Sequence, residues 1–96
     1  EEVEEAVKRV PGVLDCLVVG VADERFGQAV TAIAAPDGTA LDEADVIAHV
    51  KTQLARYKAP KRVVFVSEVP RAPNGKADYA AARQYALDAL DALGAD

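Results

Sequence analysis

The fold of this 96-residue chain is organised around one stretch, Pro70-Arg71-Ala72-Pro73-Asn74-Gly75-Lys76. Its prolines fix φ and remove backbone donors, and its Asn-Gly pair tolerates left-handed backbone, so the stretch predicts a turn of fixed shape. A helical pattern begins at Asp78, so we expect Lys76 just ahead of a helix N-terminus, where free N–H groups and the helix dipole favour an anion. The alternative is a solvated lysine on a strand-to-helix turn, and the turn alone is more typical of that alternative.

The segment around this turn is basic although the chain as a whole is acidic. The formal net charge of −5 argues against non-specific binding to nucleic acid. Only Glu68 is acidic between positions 56 and 76, where six of the eleven basic residues lie: Arg56, Lys58, Lys61, Arg62, Arg71 and Lys76. A local cluster of this kind indicates a phosphate-bearing ligand, although charge alone leaves a solvated basic loop equally open.

The first half of the chain predicts one helix and two strands. Apolar residues from Val3 to Val10 follow helical spacing, and Pro11-Gly12 ends that helix. Two apolar runs, 13–22 and 28–35, are typical of buried strands. Because only five residues connect them, the two strands are expected to pair in antiparallel orientation.

A second helix is predicted to begin at Asp42. Asp45 stands three residues later, as in a capping box, and Leu41 and Val46 occupy the positions of a hydrophobic staple. The expected buried face of this helix consists of Val46, Ile47, Val50, Leu54 and Tyr57.

The last part of the chain predicts a short strand at 63–66 and a helix from Asp78 to Leu93 that Gly94 stops. Tyr79, Ala82, Ala86 and Leu90 lie on one side of that helix. The order helix-strand-strand-helix-strand-helix is that of a small α+β domain, with helices packed on a sheet of about three strands. Residues 1–96 form one domain, and 51% apolar content is enough for one core.

Other chemistry has weak support in the sequence. Cys16 lies in an apolar run and is expected to be a small buried side chain, and Ser67 lacks the setting of an activated nucleophile. His49 is expected on a helix surface and is left out of the site, and no metal-ligand spacing occurs. No stretch approaches the length of a membrane span, so we expect a cytoplasmic location.

Several motifs together resemble the C-terminal domain of the adenylate-forming superfamily, most closely that of the acyl-CoA synthetases. They are Tyr57-Lys58-Ala59-Pro60-Lys61, an apolar strand, and the turn ending in Lys76 with Ala77-Asp78-Tyr79 after it. Similar segments occur earlier, at Pro11-Gly12-Val13, 19–23 and Phe26-Gly27-Gln28, so the resemblance covers nearly the whole chain.

The resemblance implies that residues 1–96 are the mobile lid of an ATP-dependent acid–CoA ligase, such as a fatty acyl-CoA synthetase. Its partner would be an N-terminal domain of the same polypeptide that binds ATP, the carboxylic acid and Mg²⁺. Lys76 would be catalytic, bridging carboxylate and α-phosphate oxygens during adenylation, on a loop positioned by Asn74 and Gly75. The isolated chain is then expected to turn over nothing.

The resemblance also implies a second use of the lid, in binding CoA. Phe26 and Gly27 would line the pantetheine channel, Tyr57 would contact adenine, and Lys58 and Lys61 would bind the phosphates of CoA. Ala59 stands where relatives place a basic residue, which would weaken that contact. Phe26 could equally be a loop aromatic folded onto the core.

Two other functions stay open from the sequence. One is the lid of an amino-acid adenylation domain that loads a carrier protein, since that branch shares the Asn-Gly-Lys loop. The other is a non-catalytic binding module. The Tyr57–Lys61 segment favours a CoA ligase, and the helical start at residue 1, with the family's hinge and Gly-rich loop lying before it, favours a domain of a longer protein.

Overall fold

The computed structural model describes residues 2–23 and 27–94. Over these residues the elements are α1 (Glu2–Lys8), β1 (Val13–Asp23), β2 (Gly27–Pro36), α2 (Glu43–Lys51), a 3₁₀ turn (Arg56–Lys58), β3 (Arg62–Phe65) and α3 (Tyr79–Gly94). The predicted order of helices and strands and the α+β class are confirmed. None of the described helices combines the length and apolar character needed to cross a membrane.

The three strands form one mixed sheet in the order β1-β2-β3. β1 and β2 pair in antiparallel orientation from Val13 opposite Pro36 to Asp23 opposite Gly27, as predicted. β2 and β3 pair in parallel, from Thr31 opposite Arg62 onwards. The parallel pair follows from α2, because a helix between two strands returns the chain to the end of the sheet where β2 began.

Helices cover both faces of this sheet. One face packs against α1 and α2, in a cluster that includes Cys16, Ala32 and Val63. The other face packs against α3, in a cluster that includes Leu17 and Ile33. Since neighbouring residues of a strand point to opposite faces, a sheet covered on both sides needs nearly continuous apolar strands, which is the pattern the sequence shows.

The start of α2 differs from the prediction. Asp42 is the N-cap residue, with an extended backbone, but its side chain makes no capping hydrogen bond, so the predicted capping box with Asp45 is wrong. The first turn is tied to the sheet instead, because the Glu43 carboxylate accepts hydrogen bonds from Val63 N–H (2.8 Å) and Arg62 Nε–H (3.3 Å).

The end of α2 also corrects the sequence analysis. The helix stops at Lys51, and the chain turns through Arg56–Lys58 before β3 begins. Leu54 packs against the core as expected. Tyr57 was expected on the buried face of the helix, which is wrong: it lies in the 3₁₀ turn with 77% of its surface exposed.

α3 packs largely as its pattern predicted. Ala82 and Ala86 are buried against the sheet, and Leu90 is partly buried beside them. Tyr79 lies at the edge of this face, 46% exposed, and its hydroxyl donates to Glu4 Oε2 at 2.9 Å. Gly94 is the last helical residue rather than the residue after it, a shift of one position at a helix end.

Truncating the centre of the sheet should destabilise the domain strongly. Ile33 is fully buried on the α3 side of β2. We expect Ile33→Ala to lower the free energy of unfolding by about 2–5 kcal/mol, because removing buried carbon atoms leaves a cavity in the core. Urea denaturation of the 96-residue chain measures this.

The matched control is Leu87→Ala on α3, where 38% of the leucine surface is exposed. It should cost less than about 1 kcal/mol. Equal losses for the two variants would contradict the assigned core.

Candidate functional site

The 70–76 turn is closed by its own hydrogen bonds. Ala72 N–H donates to the Lys76 carbonyl and Gly75 N–H donates to the Ala72 carbonyl, both at 2.8 Å. Lys76 N–H donates to Asn74 Oδ1 at 3.0 Å. The φ angle of Gly75 is +85°, in the left-handed region that the Asn-Gly pair predicted. These contacts confirm a turn of fixed shape and place the exposed Lys76 side chain at its end.

The start of α3 uses part of its own hydrogen-bonding capacity. Asp78 N–H donates to the Pro70 carbonyl at 3.1 Å, and Asp78 Oδ1 accepts from Ala81 N–H at 3.0 Å. Lys76 therefore lies just ahead of a helix N-terminus, as predicted. Because the Asp78 carboxylate already caps that helix, the group best able to attract an anion here is the Lys76 ammonium.

An ion pair that the sequence analysis missed attaches this turn to β1. Arg71 Nε donates to Asp15 Oδ2 at 3.1 Å, and Arg71 Nη2 donates to Oδ1 at 3.0 Å and Oδ2 at 2.8 Å. Arg71 Nη1 also donates to the Gly75 carbonyl, at 3.1 Å. The available signal was a lone carboxylate inside the apolar β1 run, but its partner is 56 residues away along the chain.

The predicted CoA-binding segment is exposed around the 3₁₀ turn. Lys58 Nζ lies 6.0 Å from the centroid of the Tyr57 ring, at the outer limit of a cation–π contact. The same ammonium donates to Glu2 Oε1 at 3.1 Å, and this hydrogen bond is the main cause that raises the pKa of Lys58, with the charge of Glu2 adding to it. Lys61 is exposed immediately before β3, where its backbone N–H donates to the Val30 carbonyl at 2.8 Å.

Of the two remaining predicted residues, the structure describes Gly27. Gly27 begins β2 and pairs with Asp23. Phe26 lies outside the described residues, so its two proposed roles stay predictions.

The Lys76 turn and the Lys61 position lie towards opposite ends of the sheet. The turn is anchored at Asp15, which pairs with Ala35, whereas Lys61 bonds to Val30, five positions earlier on the same strand. At about 3.3 Å per residue, these two points are roughly 16 Å apart along β2. The structure therefore groups Lys61 with Gly27 near one end and separates both from the lysine turn.

Metal and thiol chemistry find no support in the described part of the chain. Within residues 2–23 and 27–94, no three His, Cys, Asp or Glu side chains come together as a metal site. Cys16 is buried as predicted, and burial raises its pKa to about 12, so it stays a neutral thiol near pH 7.

Comparisons with known proteins agree on one family. The family model described as AMP-binding enzyme C-terminal domain matches residues 2–76. Medium-chain acyl-CoA ligase Mig of Mycobacterium avium is 48% identical over 89 residues, which are 92% of this chain and 16% of that protein. A medium/long-chain-fatty-acid–CoA/3-oxocholest-4-en-26-oate–CoA ligase of Mycolicibacterium smegmatis is 51% identical over 80 residues, or 82% of this chain and 14% of that protein.

Solved structures give the same result. The Mycobacterium tuberculosis fatty acyl CoA synthetase superposes with a TM-score of 0.80 and 37% identity, covering 86% of this chain and 16% of that one. Apo MatB from Rhodopseudomonas palustris superposes with a TM-score of 0.80 and 39% identity, covering 86% and 17%. The chain thus spans only 14–16% of the length of the two curated relatives.

The contact between Glu2 and Lys58 can be tested by titration. Glu2→Gln replaces a charged acceptor by a neutral one, so we expect the pKa of Lys58 to fall back towards its ordinary value of 10.5. Since the folded-state pKa is raised, any stabilisation from this pair is present below pH 10.5 and lost as pH rises through the folded-state value. NMR titration of the lysine Cε signals measures the shift.

Glu5→Gln, at an exposed position of the same helix, is the matched control and should leave Lys58 unchanged. A Lys58 titration that is identical in wild type and Glu2→Gln would contradict the contact.

Proposed function

Because the chain belongs to the AMP-binding enzyme C-terminal domain family, we propose that it is the mobile C-terminal domain of an ATP-dependent acid–CoA ligase. The substrate class would be fatty or related acyl chains, in line with the names of its relatives. The observation that carries the proposal is Lys76, an exposed ammonium on a turn whose backbone is fixed by its own hydrogen bonds. The partner is an N-terminal domain of the same polypeptide, which binds ATP and the acid.

In the first half-reaction Lys76 acts by charge. A carboxylate oxygen of the acid attacks the α-phosphorus of ATP, the bond to pyrophosphate breaks, and an acyl-adenylate forms. The Lys76 ammonium, brought in as the lid closes, lies between the carboxylate and the α-phosphate and stabilises the charge that develops there. An ammonium held by a preformed turn needs little reorganisation, and its effect is largest where the closed lid excludes water.

In the second half-reaction the other end of the domain faces the active site. The CoA thiol attacks the acyl carbonyl and AMP leaves. In this lid position Tyr57 contacts adenine, and Lys58 and Lys61 bind the phosphates of CoA. The separation of about 16 Å along β2 supports two lid positions, since one orientation cannot present both ends to the same small site. Phosphate would also have to replace Glu2 as the partner of Lys58.

The remaining parts of the proposal come from the family. Phe26 and Gly27 would line the pantetheine channel, and Mg²⁺ would be held by the N-terminal domain. No residue of this chain is assigned to Mg²⁺. A cytoplasmic location stays a prediction.

Removing the Lys76 ammonium should slow the first half-reaction and leave the second intact. In the full-length enzyme we expect Lys76→Ala to slow adenylation by orders of magnitude, where each tenfold corresponds to about 1.4 kcal/mol of transition-state stabilisation. Thioester formation from supplied acyl-adenylate should persist, because the lid has by then rotated and carried Lys76 out of the active site. Single-turnover kinetics of each half-reaction measures both rates.

Lys51→Ala, an exposed lysine on α2, is the matched control and should leave both rates unchanged. Unimpaired adenylation in Lys76→Ala would reduce Lys76 to a solvated turn residue and remove the main support for the proposal.

Changes in the exposed patch should give the opposite pattern. We expect Tyr57→Ala or Lys61→Ala to raise the KM for CoA while adenylation stays nearly intact, because stacking and charge act on the CoA nucleotide only in the second lid position. Pyrophosphate release and thioester yield, measured together, report the split. Tyr85→Ala, an exposed tyrosine on α3, is the control. An equal fall in both half-reactions would mean that the patch is structural.

A further inference from the structure

Arg71 connects three parts of the domain through one guanidinium group. Its Nε and Nη2 atoms grip both oxygens of Asp15 on β1, and its Nη1 atom donates to the Gly75 carbonyl. The Gly75 carbonyl belongs to the peptide that continues into Lys76. A planar group with a fixed fork of donors can hold these two acceptors in one geometry, which a lysine with a single point charge would not do.

The carboxylate that receives Arg71 is itself oriented. Asp15 Oδ1 accepts a hydrogen bond from Cys16 N–H at 2.9 Å, and Lys8 Nζ lies 4.0 Å from the same oxygen. The Asp15 side chain is only 27% exposed, on the first part of the antiparallel ladder. The acceptor for Arg71 is therefore fixed to the sheet, and the turn takes its position from it.

The ion pair between Arg71 and Asp15 is poorly explained by a contribution to folding stability. An ion pair whose arginine side chain is 38% exposed contributes little to the free energy of unfolding. The 70–78 backbone already closes on itself, through the pairing of Arg71 with Ala77 and the Asp78 N–H bond to Pro70. These contacts shape the turn, and the Arg71 guanidinium adds its attachment to β1.

We propose that Arg71, held by Asp15, is a positioning residue that sets where the Lys76 ammonium arrives when the domain closes on its active site. The proposal rests on the function proposed above and extends it to two residues that make no contact with substrate. The geometric chain is short: the sheet holds Asp15, Asp15 holds Arg71, and Arg71 holds the peptide that leads into Lys76. A displacement of about 1 Å at a catalytic group can cost on the order of 100-fold in rate.

The first test is kinetic and uses the full-length enzyme. Arg71→Gln and Asp15→Asn should each slow adenylation by roughly 10- to 100-fold. Thioester formation from supplied acyl-adenylate should stay within about twofold of wild type, because Lys76 acts only in the first step. Asp15→Asn keeps an oxygen that can accept from Cys16 N–H, so it tests the ion pair with the least disturbance of β1. Arg83→Gln, an exposed arginine on α3, is the matched control and should change neither rate.

A double variant distinguishes positioning from a separate role. If Arg71 acts through Lys76, then Arg71→Gln should slow adenylation by less than about threefold when Lys76 is already alanine. A full, multiplicative loss in the Lys76→Ala background would show that Arg71 acts independently of the lysine and would overturn the proposal.

The second test is structural and needs no catalysis. ¹⁵N relaxation of the 96-residue chain should show faster local motion at the Gly75 and Lys76 amides in Arg71→Gln, with the Ile33 amide unchanged. Wild-type order at Gly75 and Lys76, with wild-type adenylation, would overturn the positioning role. If Lys76→Ala adenylates normally while Arg71→Gln loosens the turn, the proposed function fails and the attachment of the turn by Arg71 stands.

Discussion

The structure depends on β2, which is paired along both edges and covered on both faces. It hydrogen-bonds to β1 in antiparallel orientation and to β3 in parallel orientation, and six of its residues are at most 3% exposed: Ala29, Thr31, Ala32, Ile33, Ala34 and Ala35. A strand in this position is mostly apolar on both faces, because an unpaired polar group there would lose its solvation. Thr31 is the one polar residue among the six. The many alanines of β2 let the helices of both layers approach closely. The other two strands pair directly with β2, and the helices pack over the faces of the sheet that the three strands form.

Covering both faces leaves the ends of the strands as the places where exposed polar groups can act. Loops that leave a sheet at its ends have room for side chains that must meet a ligand, while the helices carry the packing. The lysine turn uses the end where Asp15 anchors Arg71, and the 57–61 segment leads into β3 nearer the other end. Because one sheet joins these two ends, the lid motion proposed above would exchange one end for the other by a rotation of the whole domain, without internal rearrangement. That geometry suits a lid with two working positions.

The basic side chains of the 56–76 segment differ in their surroundings, since some link a loop or helix start to the sheet and others lie at the exposed surface. Arg62 forms an ion pair with Glu43, and Arg71 forms one with Asp15. Each pair links a loop or the start of a helix to the sheet. Lys58 is paired with Glu2 at the surface, where an incoming anion can compete with the carboxylate. The basic segment is therefore more varied than its charge count suggested, since two of its arginines act within the protein.

The sequence by itself determined the element order, most of the residues that form the core, the fixed lysine turn and the family resemblance, because each depends on motifs or periodicities between near neighbours. Helical spacing, apolar runs and the Asn74-Gly75 pair need no knowledge of distant residues. Tertiary structure alone decided that β3 pairs with β2 rather than with β1, that Tyr57 is exposed, that the Asp42 side chain makes no cap and that Asp15 and Arg71 form an ion pair. These features join parts of the chain far apart in sequence or depend on where a helix ends against its neighbours. A local sequence pattern carries no information about such contacts, since they form only when the sheet has assembled and distant parts of the chain lie side by side.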